Sequence, residues 1–185
     1  MEKFYIRSQA LLEDSFRLAA DIYASGFRPH FIVGIWRGGS PVGIAVQEYF
    51  EFRGVQTDHI AIRTSSYTGI GQQSKTIRVH GLHYIIENVN AEDSLLIVDD
   101  VFDSGRSIRA VLDELAEKTR RNMPIDLKIA CPWYKPDSNK TDIVPDYYIH
   151  ETDQWLVFPH ELAGLTIEEI RAGKEDLSNI CDLLE

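Results

Sequence analysis

Leu95-Leu96-Ile97-Val98-Asp99-Asp100-Val101-Phe102-Asp103-Ser104-Gly105-Arg106-Ser107 is the stretch on which the fold turns. Four apolar residues read as a buried strand, and two acids end it. A third acid and a short loop of Ser and Gly then open an amphipathic helix from Ser107 to about Arg121. Ile108, Val111, Leu112 and Leu115 fall on its inward face. Asp99 and Asp100 would then stand at the carboxyl end of a strand, where open α/β sheets bind ligands. The amides of Ser104 to Ser107, at a helix N-terminus, would cradle an anion, helped by two hydroxyls and the Arg106 charge. Carboxylates beside such a cradle suit sugar hydroxyls, or a Mg²⁺ held by phosphate oxygens. A single Asp in this stretch reads as a turn former or cap; the pattern as a whole points to a ligand.

Upstream, Ser8 is placed to cap a helix that ends at Gly26, with Leu12, Phe16, Ala19 and Tyr23 on one face. His30 to Ile35 reads as a buried strand, followed by the turn Arg37-Gly38-Gly39-Ser40-Pro41 and a helix from about Pro41 to Phe52. Gln56 to Arg63 alternates like a strand. Thr64 to Gly81 is polar and aperiodic, a long loop of the kind that is usually functional or mobile. Leu82 to Glu87 reads as a short strand. Downstream, Leu127 to Cys131 and Tyr147 to Glu151 read as strands, and Thr166 to Glu185 as one or two short helices. Alternating strands and helices imply an α/β chain with a mostly parallel central sheet flanked by helices.

The chain has 185 residues, with 19 Lys and Arg against 29 Asp and Glu, a net charge of −10. Length and a 44% hydrophobic content exclude a disordered chain and favour one domain over 1–185. The charge argues against nucleic acid and anionic membranes as partners. No apolar run reaches membrane-spanning length, no signal-peptide pattern is present, and two cysteines are too few for a disulfide framework. A cytoplasmic setting is the simplest expectation. His80 and His83 lack a third ligand at zinc spacing. Cys131 reads as packing, Cys181 as a tail residue without neighbours, and neither a Ser/His/Asp nucleophile motif nor GxxxxGK[ST] occurs.

The stretch from Leu95 to Ser107 resembles the phosphoribosyl-diphosphate (PRPP) signature of the type I phosphoribosyltransferases. The resemblance runs from about Phe31 to Glu161. Ile35-Trp36-Arg37-Gly38-Gly39 resembles the family's pyrophosphate loop, and Ser65-Ser66-Tyr67 the Ser-Tyr of its mobile lid. Tyr134-Lys135-Pro136 and Trp155-Leu156-Val157 resemble the base-binding hood of the 6-oxopurine branch. Phe158-Pro159-His160-Glu161 looks closer to the xanthine-guanine type than to the hypoxanthine-guanine type. The resemblance implies a core over about 28–133, a hood over about 134–161 that leaves room for an N-terminal contribution, and a helical tail over 162–185.

It also implies roles. The enzyme would move ribose-5-phosphate from PRPP to N9 of guanine, xanthine or hypoxanthine and release pyrophosphate. Arg37, Gly38 and Gly39, with Mg²⁺, would neutralise the leaving group. Ser104, Gly105, Arg106 and Ser107 would hold the 5-phosphate, and Asp99 and Asp100 the ribose hydroxyls, directly or through the metal. Asp103 would be the general base or proton partner at the purine N7. Ser66 and Tyr67 would close over the pyrophosphate, with Lys75 and Arg78 as weaker contributors and Gly69-Ile70-Gly71 giving mobility. Lys135 would donate to O6, Trp155 would stack on the ring, and Leu156 would offer backbone groups. In this family the loop at Trp36-Arg37 often holds a cis peptide, and the subunits usually form homodimers or homotetramers. The alternatives are a PRPP- or nucleotide-sensing regulator on the same fold, or an enzyme for another base. Ten acids against two bases lie between Asp146 and Glu185, so the acidic excess falls mostly in the last 40 residues. There it is expected to serve solubility or subunit contacts.

Overall fold

The computed structural model describes residues 3–67 and 76–184. In chain order it begins with a short strand β1 (Lys3–Tyr5), helix α1 (Ser8–Ala24), strand β2 (Phe31–Trp36) and helix α2 (Gly39–Phe52). Strands β3 (Asp58–Tyr67) and β4 (Thr76–His80), helix α3 (His83–Asn88), strands β5 (Ser94–Val98) and β6 (Val101–Phe102) and helix α4 (Arg106–Thr119) follow. Strands β7 (Asp126–Tyr134), β8 (Tyr147–Glu151) and β9 (Trp155–Val157), helix α5 (Ile167–Gly173) and a 3-10 segment (Glu175–Leu183) complete it.

Seven strands form the main sheet in the order β4-β3-β2-β5-β7-β6, with β8 also on β7. Every pairing is parallel except β3 with β4. The central strands are apolar on both faces because helices cover both. Residues Val33, Ile35, Leu95 and Ile97 pack with Ile85, Ile108, Val111 and Leu115 of α3 and α4. The intervening Ile32, Leu96 and Val98 pack with Leu18, Ile22, Val42, Val46 and Phe50 of α1 and α2. Strand alternation thus distributes one apolar run between two cores. The chain leaves β2 toward β3 on one side, and β5 leads to β7 on the other. The crevice between the carboxyl ends of β2 and β5 is therefore the topological switch point.

Four local expectations change. Leu82 to Glu87 is not a strand: Leu82 precedes helix α3, and Ile85 is its buried residue. A short apolar run has no period long enough to separate helix from strand. Thr64 to Gly81 is not simply a loop. Its ends are the arms of a hairpin, with Arg63 paired to His80 and Ser66 to Ile77. Its tip, with Gly69-Ile70-Gly71 and Lys75, lies outside the described residues. The buried stripe of α1 is Leu11, Asp14, Ser15, Leu18, Ala19 and Ile22, whereas Leu12 and Phe16 are 46% and 40% exposed. Two polar residues sit on the true stripe, and both are satisfied. Asp14 Oδ2 meets His150 Nε2 at 2.8 Å, and Ser15 Oγ donates to Leu11 O at 2.7 Å. Ser8 does not cap α1 with its side chain; its backbone N–H is taken by the Asp176 carboxylate at 2.7 Å.

The N-terminal strand meets a late one in a second, two-stranded sheet, where β1 runs parallel to β9 and pairs Lys3 with Trp155 and Tyr5 with Val157. Cys181, expected to lack neighbours, is buried, and its Sγ donates to Leu177 O at 3.4 Å.

Candidate functional site

Two loops meet at the switch point. After β2 the peptide bond between Trp36 and Arg37 is cis, and Gly38 and Gly39 lead directly into α2. After β5 come Asp99 and Asp100. The loops touch so closely that a side chain has no place between them. A Cβ on Gly38 would fall 1.8 Å from Asp100 Oδ2, and one on Gly39 would fall 2.4 Å from Val98 O. The glycines permit this approach of one loop to the other, a constraint separate from the approach to pyrophosphate expected of them from sequence.

Asp99 Oδ1 accepts the Asp100 N–H at 3.0 Å, and Asp100 Oδ1 accepts the Val101 N–H at 2.9 Å. Burial, and then the negative charge of Asp100, raise the Asp99 carboxyl well above its ordinary range, against the pull of backbone N–H donors from Asp100 and Gly39. Asp100 Oδ2 lies 3.5 Å from His160 Nε2. Among the described residues, no group of three His, Cys, Asp or Glu is arranged to hold a metal unaided. Two adjacent carboxylates nevertheless fit a hard cation, provided a ligand supplies the remaining oxygens.

Beyond β6, the chain turns through Ser104 and Gly105 into α4. Gly105 precedes α4 with φ of 72°, a left-handed position that glycine takes at least cost. A hollow of about 80 Å³ is lined by Asp99, Asp103, Ser104, Gly105 and Ser107 among others. The hollow lies at the helix N-terminus, where an anion cradle was expected from sequence. Ser107 Oγ accepts a long hydrogen bond from Thr64 Oγ1 at 3.4 Å, which ties the cradle to β3. Arg106 is exposed on the first turn of α4 and does not line the hollow.

A larger cleft of about 380 Å³ adjoins it, with Asp100, Val101, Asp103 and Lys135 on one side and Trp155 to Phe158 on another. Lys3, Glu161 and Ala163 to Leu165 complete the lining. The Lys135 ammonium lies 3.8 Å from Asp103 Oδ2, with the lysine side chain 13% exposed and the aspartate 53%. The Lys135 N–H donates to Phe102 O at 2.9 Å, so the strand pairing of β6 with β7 sets the separation of these two groups. Trp155 is 56% exposed on the cleft, not core packing, while Leu156, also in the lining, is buried. Arg37 Nη2 stands 4.0 Å from Glu161 Oε1, and Glu161 Oε2 accepts the Phe158 N–H at 3.0 Å.

Of the residues singled out from sequence, Asp99, Asp100, Asp103, Ser104, Gly105, Ser107, Lys135, Trp155 and Leu156 line these adjoining spaces, whereas Arg37, Gly38 and Gly39 line neither and meet them through the contacts of Gly38 with Asp100 and of Arg37 with Glu161. Ser66 is exposed on β3 and lines neither of them, and Tyr67 pairs through its backbone with Thr76. Lys3, His160 and Glu161 were not assigned roles from sequence. Lys3 reaches the cleft only because β1 pairs with a strand some 150 residues away, which no local pattern reveals.

Comparison with known proteins agrees with this geometry. Among solved structures, the chain is similar to a purine phosphoribosyltransferase from Pyrococcus horikoshii. That protein is 28% identical, with 90% of this chain and 98% of that one covered at a TM-score of 0.67. A xanthine-guanine-hypoxanthine phosphoribosyltransferase from Helicobacter pylori shares the fold at 19% identity, with 98% and 99% covered and a TM-score of 0.67. Among curated proteins, the bifunctional protein PyrR of Corynebacterium diphtheriae is 30% identical over 95 residues, 51% of this chain. The chain matches about half the length of that relative, 50% of it. The family model for the phosphoribosyl transferase domain matches residues 5–163. With both loops of the switch point and most of the adjoining cleft inside that match, the chain belongs to the phosphoribosyl transferase family.

Proposed function

We infer that the protein is a purine phosphoribosyltransferase that transfers ribose-5-phosphate from PRPP to N9 of a 6-oxopurine. The observation that carries this reading is the pairing of Lys135 and Asp103 side by side in one cleft, 3.8 Å apart, with the exposed ring of Trp155 in the same lining. A 6-oxopurine offers an acceptor at O6 next to a ring nitrogen at N7. A lysine donor and a carboxylate acceptor at hydrogen-bonding reach of such neighbours match that edge, and an adenine amino group at C6 does not. Trp155 supplies a face for stacking. The likeness to the Pyrococcus horikoshii purine enzyme supports the same substrate class.

In this reading the bond from ribose C1′ to the pyrophosphate oxygen breaks and the bond from C1′ to N9 forms. The proton lost by the base passes to the Asp103 carboxylate. Arg37 and the amides around Gly38 and Gly39 hold the departing pyrophosphate, and Ser104 to Ser107 hold the 5-phosphate. Asp99 and Asp100 bind the ribose hydroxyls and are the residues that would hold Mg²⁺. Bound there, the cation supplies positive charge for the pyrophosphate. Ser66 and Tyr67 would cover the pyrophosphate, the role that the resemblance to the family's lid implies for them.

A PRPP-dependent regulator or an enzyme for another base is the competing reading, favoured by the match to PyrR. One assay separates them. The protein is incubated with PRPP, with and without Mg²⁺, and with guanine, xanthine, hypoxanthine, adenine or uracil, and nucleotide formation is followed by chromatography. Nucleotides of 6-oxopurines are expected, only with Mg²⁺, and none of adenine or uracil. PRPP binding without turnover of any 6-oxopurine would sink the proposal.

A further inference from the structure

The segment after the cleft folds back beneath it. Thr166 opens α5 in a reciprocal cap with Glu169, and Glu169 Oε1 lies 2.5 Å from the ammonium of Lys3. α5 ends on Gly173, where a Cβ would fall 2.4 Å from the ring of Tyr5. Beyond it, Arg7 meets Glu175 at 2.5 Å, and Asp176 takes the Ser8 N–H. Between these contacts sits Lys174, 6% exposed. Its ammonium donates to Phe158 O at 2.6 Å and to Pro159 O at 3.2 Å. Burial lowers its proton affinity, against the charges of Glu161 and Asp176.

An ammonium is expensive to bury, so its position follows its acceptors. Those acceptors lie where β9 has just ended and the chain turns. The Phe158 carbonyl has one further donor, the Glu161 N–H at 3.0 Å. The same turn carries His160 toward Asp100 and Glu161 toward Arg37. Trp155 to Phe158, immediately before it, line the cleft, and Lys174 does not.

We propose that Lys174 is a positioning residue for base recognition. From outside the cleft it fixes the backbone from Leu156 to Glu161, and so sets where the strand edge meets the purine. The inference rests on the purine reading above. The PRPP side of the site hangs on β2–α2 and β5–α4; the Lys174 ammonium bonds to neither, and the turn it holds reaches them only through the long contacts of His160 with Asp100, 3.5 Å, and of Glu161 with Arg37, 4.0 Å.

The test compares the wild type with K174R, K174Q and K174M. Thermal melting, hydrogen exchange over residues 155–161, and separate KM values for PRPP and the best 6-oxopurine are measured. Truncating a buried charged donor should raise the base KM about tenfold or more in K174M, with kcat and the PRPP KM within about twofold. K174R, which keeps a charged donor, should restore the base KM, and K174Q, which keeps neutral donors, should fall between. Exchange over 155–161 should quicken in the same order. If K174M does not fold, K174Q carries the comparison. A folded variant with lowered melting temperature but unchanged base KM overturns the proposal, as does a parallel rise in both KM values. Absence of wild-type turnover with 6-oxopurines instead removes the purine reading itself.

Discussion

Lys135 is held tightly and Asp103 is not. The lysine follows β7 directly, its N–H is bonded to Phe102 O, and its side chain is 13% exposed, whereas the Asp103 carboxylate is 53% exposed. That difference suits their inferred tasks: a fixed donor selects the base, and an adjustable carboxylate accepts a proton as the base turns over. Asp103→Asn keeps the shape and loses the basicity. It should reduce kcat by about 10²-fold or more while calorimetry finds PRPP affinity unchanged. Lys135→Met should reduce kcat/KM for 6-oxopurines by about 10²-fold without creating adenine activity, because methionine removes the donor to O6 and supplies no strong acceptor for the adenine amino group. Competition assays with the two bases measure this directly. If Lys135→Met leaves the guanine rate intact, O6 is read elsewhere.

The two loops at the switch point behave as one unit, because Gly38 lies against Asp100 with no room for a methyl group. Gly38→Ala should therefore push the loops apart. Overpacking of this kind costs about 1–3 kcal/mol, visible as a lower melting temperature. PRPP affinity should fall at least about tenfold, since both the pyrophosphate loop and the carboxylates move. This unit was legible in the sequence because each half is local: strand, small-residue turn, helix, within about a dozen residues. Elements defined by distant partners were not. The buried stripe of α1 carries Asp14 and Ser15, so its apolar character is weaker than that of the exposed stripe with Leu12 and Phe16. The hydrogen bond with His150, far along the chain, explains why Asp14 is inside. The cap of α1 likewise comes from Asp176 and not from Ser8. For α3, six residues hold too little periodicity to oppose a strand assignment.

At the scale of the molecule, the acidic tail changes meaning. Its charge was expected to serve solubility or subunit contacts, yet Glu161, Glu169, Glu175 and Asp176 face Arg37, Lys3, Arg7 and the start of α1. The Lys3 ammonium, followed by the Thr166 N–H, lowers the Glu169 carboxyl below its ordinary value, and the Ser8 N–H does the same for Asp176. Carboxyls held low in the folded state stabilise it above their unfolded values near pH 4, and that contribution is lost as pH falls through the folded ones. A Glu169→Gln, Asp176→Asn double variant should thus melt below the wild type at neutral pH. The two melting curves should converge below about pH 4. A gap that persists in acid would mean the contacts are not ionic. The pairing of β1 with β9 has a temporal consequence as well. A chain leaving the ribosome owns the whole β2/β5 crevice once β7 is made, but the wall opposite Lys135 needs β9, and its anchor needs residue 174. Closing so long a loop is entropically the last and slowest step. The nascent protein would thus be able to grip a sugar phosphate well before it can choose among bases.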